Sequence, residues 1–229
     1  MILFCLPYAG GSSVAYHKWK SVLDSNIKLQ PVELMGRGSR YNDGFYTDFE
    51  EAVDDVYMNI KDKIVDEEYA IFGHSMGSML AFELYYKIIE NGGKVPKCIF
   101  FSGCKAPQCH KKNGIMHKLP DSEFMSEVIK LGGTPIEVIE NKELYNLVIP
   151  ILRNDFRILE THEYMEKNKS IQCDITILSG REDKITFEEL NEWRKYSSKN
   201  TRIVTFKGGH FFINDNVDKI ISLIESTLL

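Results

Sequence analysis

The sequence predicts an α/β fold, a mostly parallel sheet flanked by helices and interrupted by one helical insertion. Three observations predict it. Short apolar or β-branched runs alternate with segments of helical periodicity, the pattern of strands buried on both faces and joined by helical crossovers. One such run, Tyr69-Ala-Ile-Phe-Gly73-His74, passes into a helical segment with only Ser75 between, so the connection there is a tight turn. The composition, 43% hydrophobic and 27% charged over 229 residues, suits one substantial core and not comfortably two. Residues 1–229 are therefore expected to form a single domain.

Met1–Leu6 reads as a buried strand ending at Pro7, and Lys28–Leu34 as a second that Pro31 makes less regular. Phe49, Val53, Val56, Tyr57, Ile60 and Ile64 recur at helical spacing, giving a helix with one apolar stripe before a third strand at Tyr69–Phe72. The next helix runs from about Met76 to Asn91 and stops at Gly92-Gly93, which can adopt the left-handed conformation that ends helices. Cys98–Ser102, Asp174–Ser179 and Thr201–Phe206 bring the strands to six. Val217, Ile220, Ile221, Ile224 and Leu228 mark the apolar face of a final helix, with Asn214 or Asp215 available to cap it. Between the fourth and fifth strands, residues 105–170 read as helical or irregular, with Gly132-Gly133-Thr134-Pro135 as an internal break. Insertions of this size in α/β enzymes lie over the C-terminal ends of the strands, where ligands bind, so 105–170 is expected to act as a lid.

Charge and cysteine usage narrow the class further. Lys and Arg total 28 against 33 Asp and Glu, a net charge of -5, so there is no basic excess to attract nucleic acid. The five cysteines form an odd set without a C-x-x-C pair, which suits reduced, buried thiols. Cys104, Cys109, His110 and His117 are close in sequence but lack a zinc spacing, so neither a metal nor a cofactor is expected. The start lacks a basic n-region, and no apolar run approaches the roughly 20 residues of a membrane span. A cytoplasmic protein with no membrane partner is expected. Lys105, His110, Lys111, Lys112, His117 and Lys118 have no carboxylate among them until Asp121, a candidate patch for an acidic partner.

The chemistry centres on Gly73-His-Ser75-Met-Gly77, a G-x-S-x-G between a strand and a helix. The pentapeptide is weak evidence alone and gains weight from that placement, the nucleophile elbow of α/β-hydrolases. Such a turn lifts Ser75 Oγ to the top of the sheet at a helix N-terminus, where unpaired N–H groups favour developing negative charge. A serine hydroxyl needs a base, and the base needs an acid to hold its tautomer, in the chain order serine, acid, histidine. His210 lies just after the last strand, where the base belongs. His74 should point away from the nucleophile, His110, His117 and His162 fall in the insertion, and His17 comes too early. Asp183 follows the fifth strand as the candidate acid, with Glu182 as its rival, and no carboxylate follows the fourth strand. The two oxyanion donors are expected to be the Met76 N–H and an N–H of the loop Pro7-Tyr-Ala-Gly-Gly-Ser12, either Tyr8 first or Ala9 one residue on.

Leu6-Pro-Tyr-Ala-Gly-Gly-Ser12, Gly36-Arg-Gly-Ser-Arg40, Gly73-His-Ser-Met-Gly77, Leu152-Arg-Asn-Asp155, Gly180-Arg-Glu-Asp183 and Gly208-Gly-His-Phe-Phe212 together resemble the type II thioesterases of nonribosomal peptide and polyketide synthesis. The resemblance covers nearly the whole chain. It implies an α/β-hydrolase fold, with Ser75, Asp183 and His210 as the triad. It also implies hydrolysis of acyl or aminoacyl groups from the phosphopantetheine arm of carrier domains, which are typically acidic. A monomer is expected. Family members usually carry a leader ahead of the first strand, so one sheet edge is expected to be shorter here, and Met35 stands where the family often has proline. A carboxylesterase, a lysophospholipase or an acyltransferase would use the same triad, while a non-catalytic hydrolase-fold protein need not retain its three residue types.

Overall fold

The computed structural model describes residues 1–110, 115–133, 138 and 140–229. Six strands form one sheet in the order β2-β1-β3-β4-β5-β6, every neighbouring pair parallel. They are β1 (Ile2–Leu6), β2 (Lys28–Pro31), β3 (Tyr69–His74), β4 (Cys98–Ser102), β5 (Asp174–Gly180) and β6 (Thr201–Phe206). The chain runs outward from β1 to β2, then returns to the other side of β1 and builds the rest of the sheet. This reversal makes the C-terminal ends of β1 and β3 the switch point of the topology, where a crevice opens in such sheets. Leu6 pairs with Gly73 there, so the loop after β1 and the turn after β3 start side by side.

Alternation along the central strands divides the core between two faces. Ile2, Phe4 and Leu6 pack with α1 (Phe49–Ile60) and α2 (Met76–Glu90), whereas Leu3 and Cys5 pack with Tyr16, Trp19 and the last helix, α6 (Val217–Leu228). The Asp48 side chain caps α1 by accepting the Glu51 N–H at 2.8 Å, and Gly92 at φ 74° follows the end of α2. β3 runs on to His74, two residues past the sequence reading, and β2 and the cap of α6 differ from it as well. β2 ends at Pro31, whose ring nitrogen faces the open edge of the sheet and interrupts no bond to β1. After Val32 donates to Cys5 O at 2.9 Å, the chain turns inward and buries Leu34. The N-cap of α6 is Asn216, not Asn214 or Asp215, and its Nδ2 is spent on Lys207 O and Phe212 O.

Between β4 and β5 the described residues form two short turns, α3 (Asp121–Leu131) and the long α4 (Lys142–Thr161), with no strand among them. Phe124, Met125 and Val128 of α3 pack on Ile149 and Leu152 of α4, giving the insertion a small core of its own. A short α5 (Phe187–Asn191) follows β5. No helix among the described residues is long and apolar enough to cross a membrane. Cys5, Cys98, Cys104 and Cys173 are buried, and Cys109 is partly so.

Trp193 joins the insertion's entry to the sheet. It is fully buried, stacks on Phe101 with centroids 4.1 Å apart, and donates Nε1–H to Cys104 O at 3.0 Å. Replacing Trp193 by Ala removes this packing and leaves the Cys104 carbonyl unpaired, so urea unfolding should show a loss of about 3–5 kcal/mol.

Candidate active site

Ser75 joins β3 to α2 with φ 54° and ψ -115°, and it is the only non-glycine residue with positive φ among the described residues. Holding a serine there costs energy that the neighbours must impose. A Cβ on Gly73 would lie 2.1 Å from Gly77 O, and one on Gly77 would lie 2.2 Å from Leu6 O. Both flanking glycines are therefore required by close backbone approach. β4 secures the turn, since Ser75 N–H donates to Ser102 O at 2.7 Å and Ser78 Oγ accepts Ser102 N–H at 2.9 Å.

His210, on the loop after β6, has Nε2 2.9 Å from Ser75 Oγ and Nδ1 2.8 Å from Asp183 Oδ2. Three side chains distant in sequence thus form one hydrogen-bonded line. A carboxylate only accepts, so the ring proton sits on Nδ1 and the Nε2 lone pair faces the serine hydroxyl. The second carboxylate oxygen accepts the Lys184 N–H at 2.7 Å, which fixes the acid. Glu182, the rival acid, is exposed, and its N–H ties to Gly208 O at 3.1 Å. Gly180 lets the acid and histidine loops touch, because a Cβ there would lie 2.2 Å from Gly209 O.

Around Ser75, Gly10 N–H is committed to Asp155 and Gly11 N–H to Tyr8 O, at 2.7 and 2.8 Å. The N–H groups of Tyr8, Ala9 and Met76 have no hydrogen-bond acceptor among the described residues, and Tyr8 and Ala9 line the cavity at Ser75. These are the donors a developing oxyanion could use. The cavity, about 290 Å³, is walled on one side by the 8–12 loop and His210, and on the other by Val128, Val148, Leu152 and Phe156 of the insertion. No Asp, Glu, Lys or Arg lines it among the described residues.

His74 does not lie idle behind Ser75. Sharing a strand face with Phe72, its buried ring sits 5.3 Å from the His210 ring and edge-on to Tyr8, Phe211 and Phe212, with Nδ1 2.9 Å from Ser102 Oγ. Strand alternation carried this signal, since it places His74 on the face that the histidine loop covers. The basic patch also changes character. Lys105 pairs with Glu189 at 3.4 Å and His117 with Glu160 at 2.6 Å, carboxylates that linear proximity could not reveal. Lys111 and Lys112 lie outside the described residues. Cys104 Sγ meets His110 Nε2 at 3.5 Å, while His162 stacks on Phe49 and His17 is exposed.

A parallel sheet whose switch point carries a serine elbow, with a histidine and a carboxylate from the last two strand ends, defines the α/β-hydrolase fold. Comparison with known proteins narrows the class. Residues 1–228 match the thioesterase domain family, and the chain belongs to it and is a thioester hydrolase. Among solved structures it is similar to ClbQ from the colibactin NRPS/PKS pathway, with 39% identity and a TM-score of 0.95, covering 99% of this chain and 96% of that one. It is also similar to the type II thioesterase BorB from the borrelidin biosynthetic cluster, with 31% identity and a TM-score of 0.90, covering 100% and 92%. A further relative, 34% identical over 100% of this chain and 88% of its own length, is named linear gramicidin dehydrogenase LgrE, from Brevibacillus parabrevis. The loop after β1 here, Pro7-Tyr-Ala-Gly-Gly-Ser12, lacks the G-x-G-x-x-G fingerprint of dinucleotide-binding dehydrogenases.

Burial holds the His74 imidazole well below its ordinary pKa of 6.5, so it stays neutral in the fold. Below that pH the unfolded chain binds a proton that the folded chain refuses, so stability falls with acidity and levels off above it. Urea unfolding at about pH 7.5 and about pH 5.5 should show the parent losing about 1 kcal/mol more than His74→Asn, which has no such proton to bind.

Proposed function

We infer that Ser75 is the nucleophile, His210 the general base and Asp183 the orienting acid of a thioesterase that clears acyl and aminoacyl groups from the phosphopantetheine arm of carrier domains. The observation that carries the catalytic part is the relay from Ser75 Oγ through His210 to Asp183, at 2.9 and 2.8 Å, at the head of the cavity. The carrier-bound substrate is supported by the company the chain keeps, since ClbQ comes from an NRPS/PKS pathway and BorB is a type II thioesterase. On this reading residues 105–170 act as the lid, and the protein works as a cytoplasmic monomer.

Ser75 Oγ attacks the thioester carbon while His210 Nε2 takes its proton, and Asp183 steadies the imidazolium that results. The tetrahedral oxyanion is held by the N–H groups of Met76 and Tyr8, or of Ala9 one residue on. Collapse expels the pantetheine thiol, which leaves easily as a thiolate, so weak protonation by His210 suffices. Once that proton has passed to the sulfur, neutral His210 deprotonates a water that attacks the acyl-serine. It returns the water's proton to Ser75 Oγ as the acyl–Oγ bond breaks and the acid leaves.

The apolar cavity fits the acyl half of such a substrate. A charge at the far end of the acyl chain would be stripped of water with no counter-ion among the described residues of the wall, an expensive placement. Ser75→Ala should lower kcat on acyl-pantetheine by roughly 10⁴-fold or more; loss within about tenfold overturns the nucleophile assignment. Butyryl-pantetheine should exceed succinyl-pantetheine in kcat/KM by at least about tenfold, and equal values would show that the acyl group does not enter this cavity. Matched oxygen esters and competing alcohol acceptors, run in the same assay, separate thioester hydrolysis from ester hydrolysis and acyl transfer.

A further inference from the structure

Two of the sequence motifs have no part in the triad chemistry, and the fold brings them into one contact. Arg37 of Gly36-Arg-Gly-Ser-Arg40 and Asp155 of Leu152-Arg-Asn-Asp155 form a bidentate pair, with Nη1 2.6 Å from Oδ2 and Nη2 2.6 Å from Oδ1. Asp155 is fully buried and Arg37 is 3% exposed. A buried ion pair contributes little net stability once desolvation is counted, so its placement is best explained by what else the two groups hold.

They hold the loop after β1. Asp155 Oδ2 also accepts the Gly10 N–H at 2.7 Å, and Arg37 Nη1 donates to Gly11 O at 3.1 Å. Arg37 Nε is anchored on Met35 O at 3.2 Å. Leu152, one turn before Asp155 on α4, presses on Gly10 from the same side: a Cβ at Gly10, whose φ is 76°, would lie 2.3 Å from Leu152 Cδ2. Gly11 N–H closes back on Tyr8 O at 2.8 Å. The insertion helix thus fixes the peptide group that follows Ala9 and Arg37 the one that follows Gly11, while the Gly11 N–H, placed between them, holds the one that follows Tyr8.

We propose that Asp155, held by Arg37, is a positioning residue that sets the oxyanion loop, so the second oxyanion donor is in place only when α4 is seated on Gly10. The Tyr8 and Ala9 N–H groups are free to face the reacting carbonyl because Asp155 fastens the next N–H in the chain. The proposal rests on the reading of Ser75 as nucleophile and of this loop as the source of an oxyanion donor. It makes the insertion part of the catalytic apparatus as well as a wall of the cavity. Charge on the carboxylate matters because a charge-assisted bond to Gly10 and the guanidinium fork together leave one loop geometry.

The test is Asp155→Asn, which keeps the side-chain volume and an acceptor oxygen but loses the charge facing Arg37, with near-UV circular dichroism to confirm the native packing. With a short acyl-N-acetylcysteamine thioester, kcat should fall by roughly 10- to 100-fold while KM stays within about threefold. Affinity for a trifluoromethyl ketone analogue, which binds as an oxyanion, should fall by the same factor as kcat/KM, and Arg37→Lys should fall between variant and parent. A kcat and an analogue affinity both within about threefold of the parent overturn the proposal, as does a rise in KM alone. Hydrogen exchange on the unaltered protein decides the matter should the variant not fold. Residues 8–12 opening together with 150–158 supports the coupling, and loop opening while the helix stays protected overturns it. Ser75→Ala run alongside separates the two readings: retained activity there defeats the triad assignment, whereas normal kcat in Asp155→Asn beside an inactive Ser75→Ala defeats only the positioning.

Discussion

The backbone of Ser75 is the point on which the surrounding structure converges. A non-glycine residue in that region costs on the order of 1–3 kcal/mol, and an isolated turn would relax out of it. Here it cannot relax, because the Ser75 N–H is bonded to the end of β4 and α2 crosses the carbonyl of Leu6 so closely that only glycine fits at position 77. The strand ends on either side of β3 therefore impose the conformation jointly. The same closeness puts the loop after β1 beside the serine hydroxyl, where its N–H groups can serve the reacting carbonyl. Strain, sheet topology and the free donors are thus consequences of one packing arrangement.

Much of this was legible in the chain. Six strands and their order of appearance could be read because each is a short apolar run bounded by turn residues, and Ser75, Asp183 and His210 could be proposed because each follows a strand end. What alternation and spacing could not supply was pairing across long separations. The fork between Arg37 and Asp155 spans 118 residues, and neither residue carries a local signal of burial. Both are charged types that ordinarily stay in water, so periodicity places them outside. The partners of the basic run after β4 were hidden for the same reason, since Glu189 beside Lys105 and Glu160 beside His117 come from α5 and α4. The strand that stopped early and the shifted cap of α6 are smaller misses, the first set by the inward turn that buries Leu34 and the second falling at Asn216, whose Nδ2 is spent on Lys207 O and Phe212 O.

The insertion is tied to the hydrolase body from several directions. Phe211, next to His210, lies against Gly133 with no room for a side chain at that position. Arg157 of α4 donates to the carbonyls of Tyr46 and Thr47 at 2.7 Å each, on the far side of the helix from the small core it shares with α3. Its middle stretch faces the cavity at Ser75 through Leu152 and Phe156. One helix thereby touches the substrate space, the loop after β1 and the body of the domain.

The burial of the thiols has a chemical corollary for an enzyme that liberates a thiol at each turnover. Acyl groups migrate readily between sulfur atoms, and a thiolate near the site could intercept the acyl chain and keep it. Burial pushes the Cys98 and Cys104 thiols up to about 12 and raises those of Cys5, Cys109 and Cys173 as well, so none ionises readily near neutrality. For Cys104 burial outweighs the nearby Lys105 charge, which lowers its pKa, and the smaller effect of Asp183 opposes that of Lys105. The fold thus closes the transthioesterification route to its own sulfur and leaves water as the terminal acceptor.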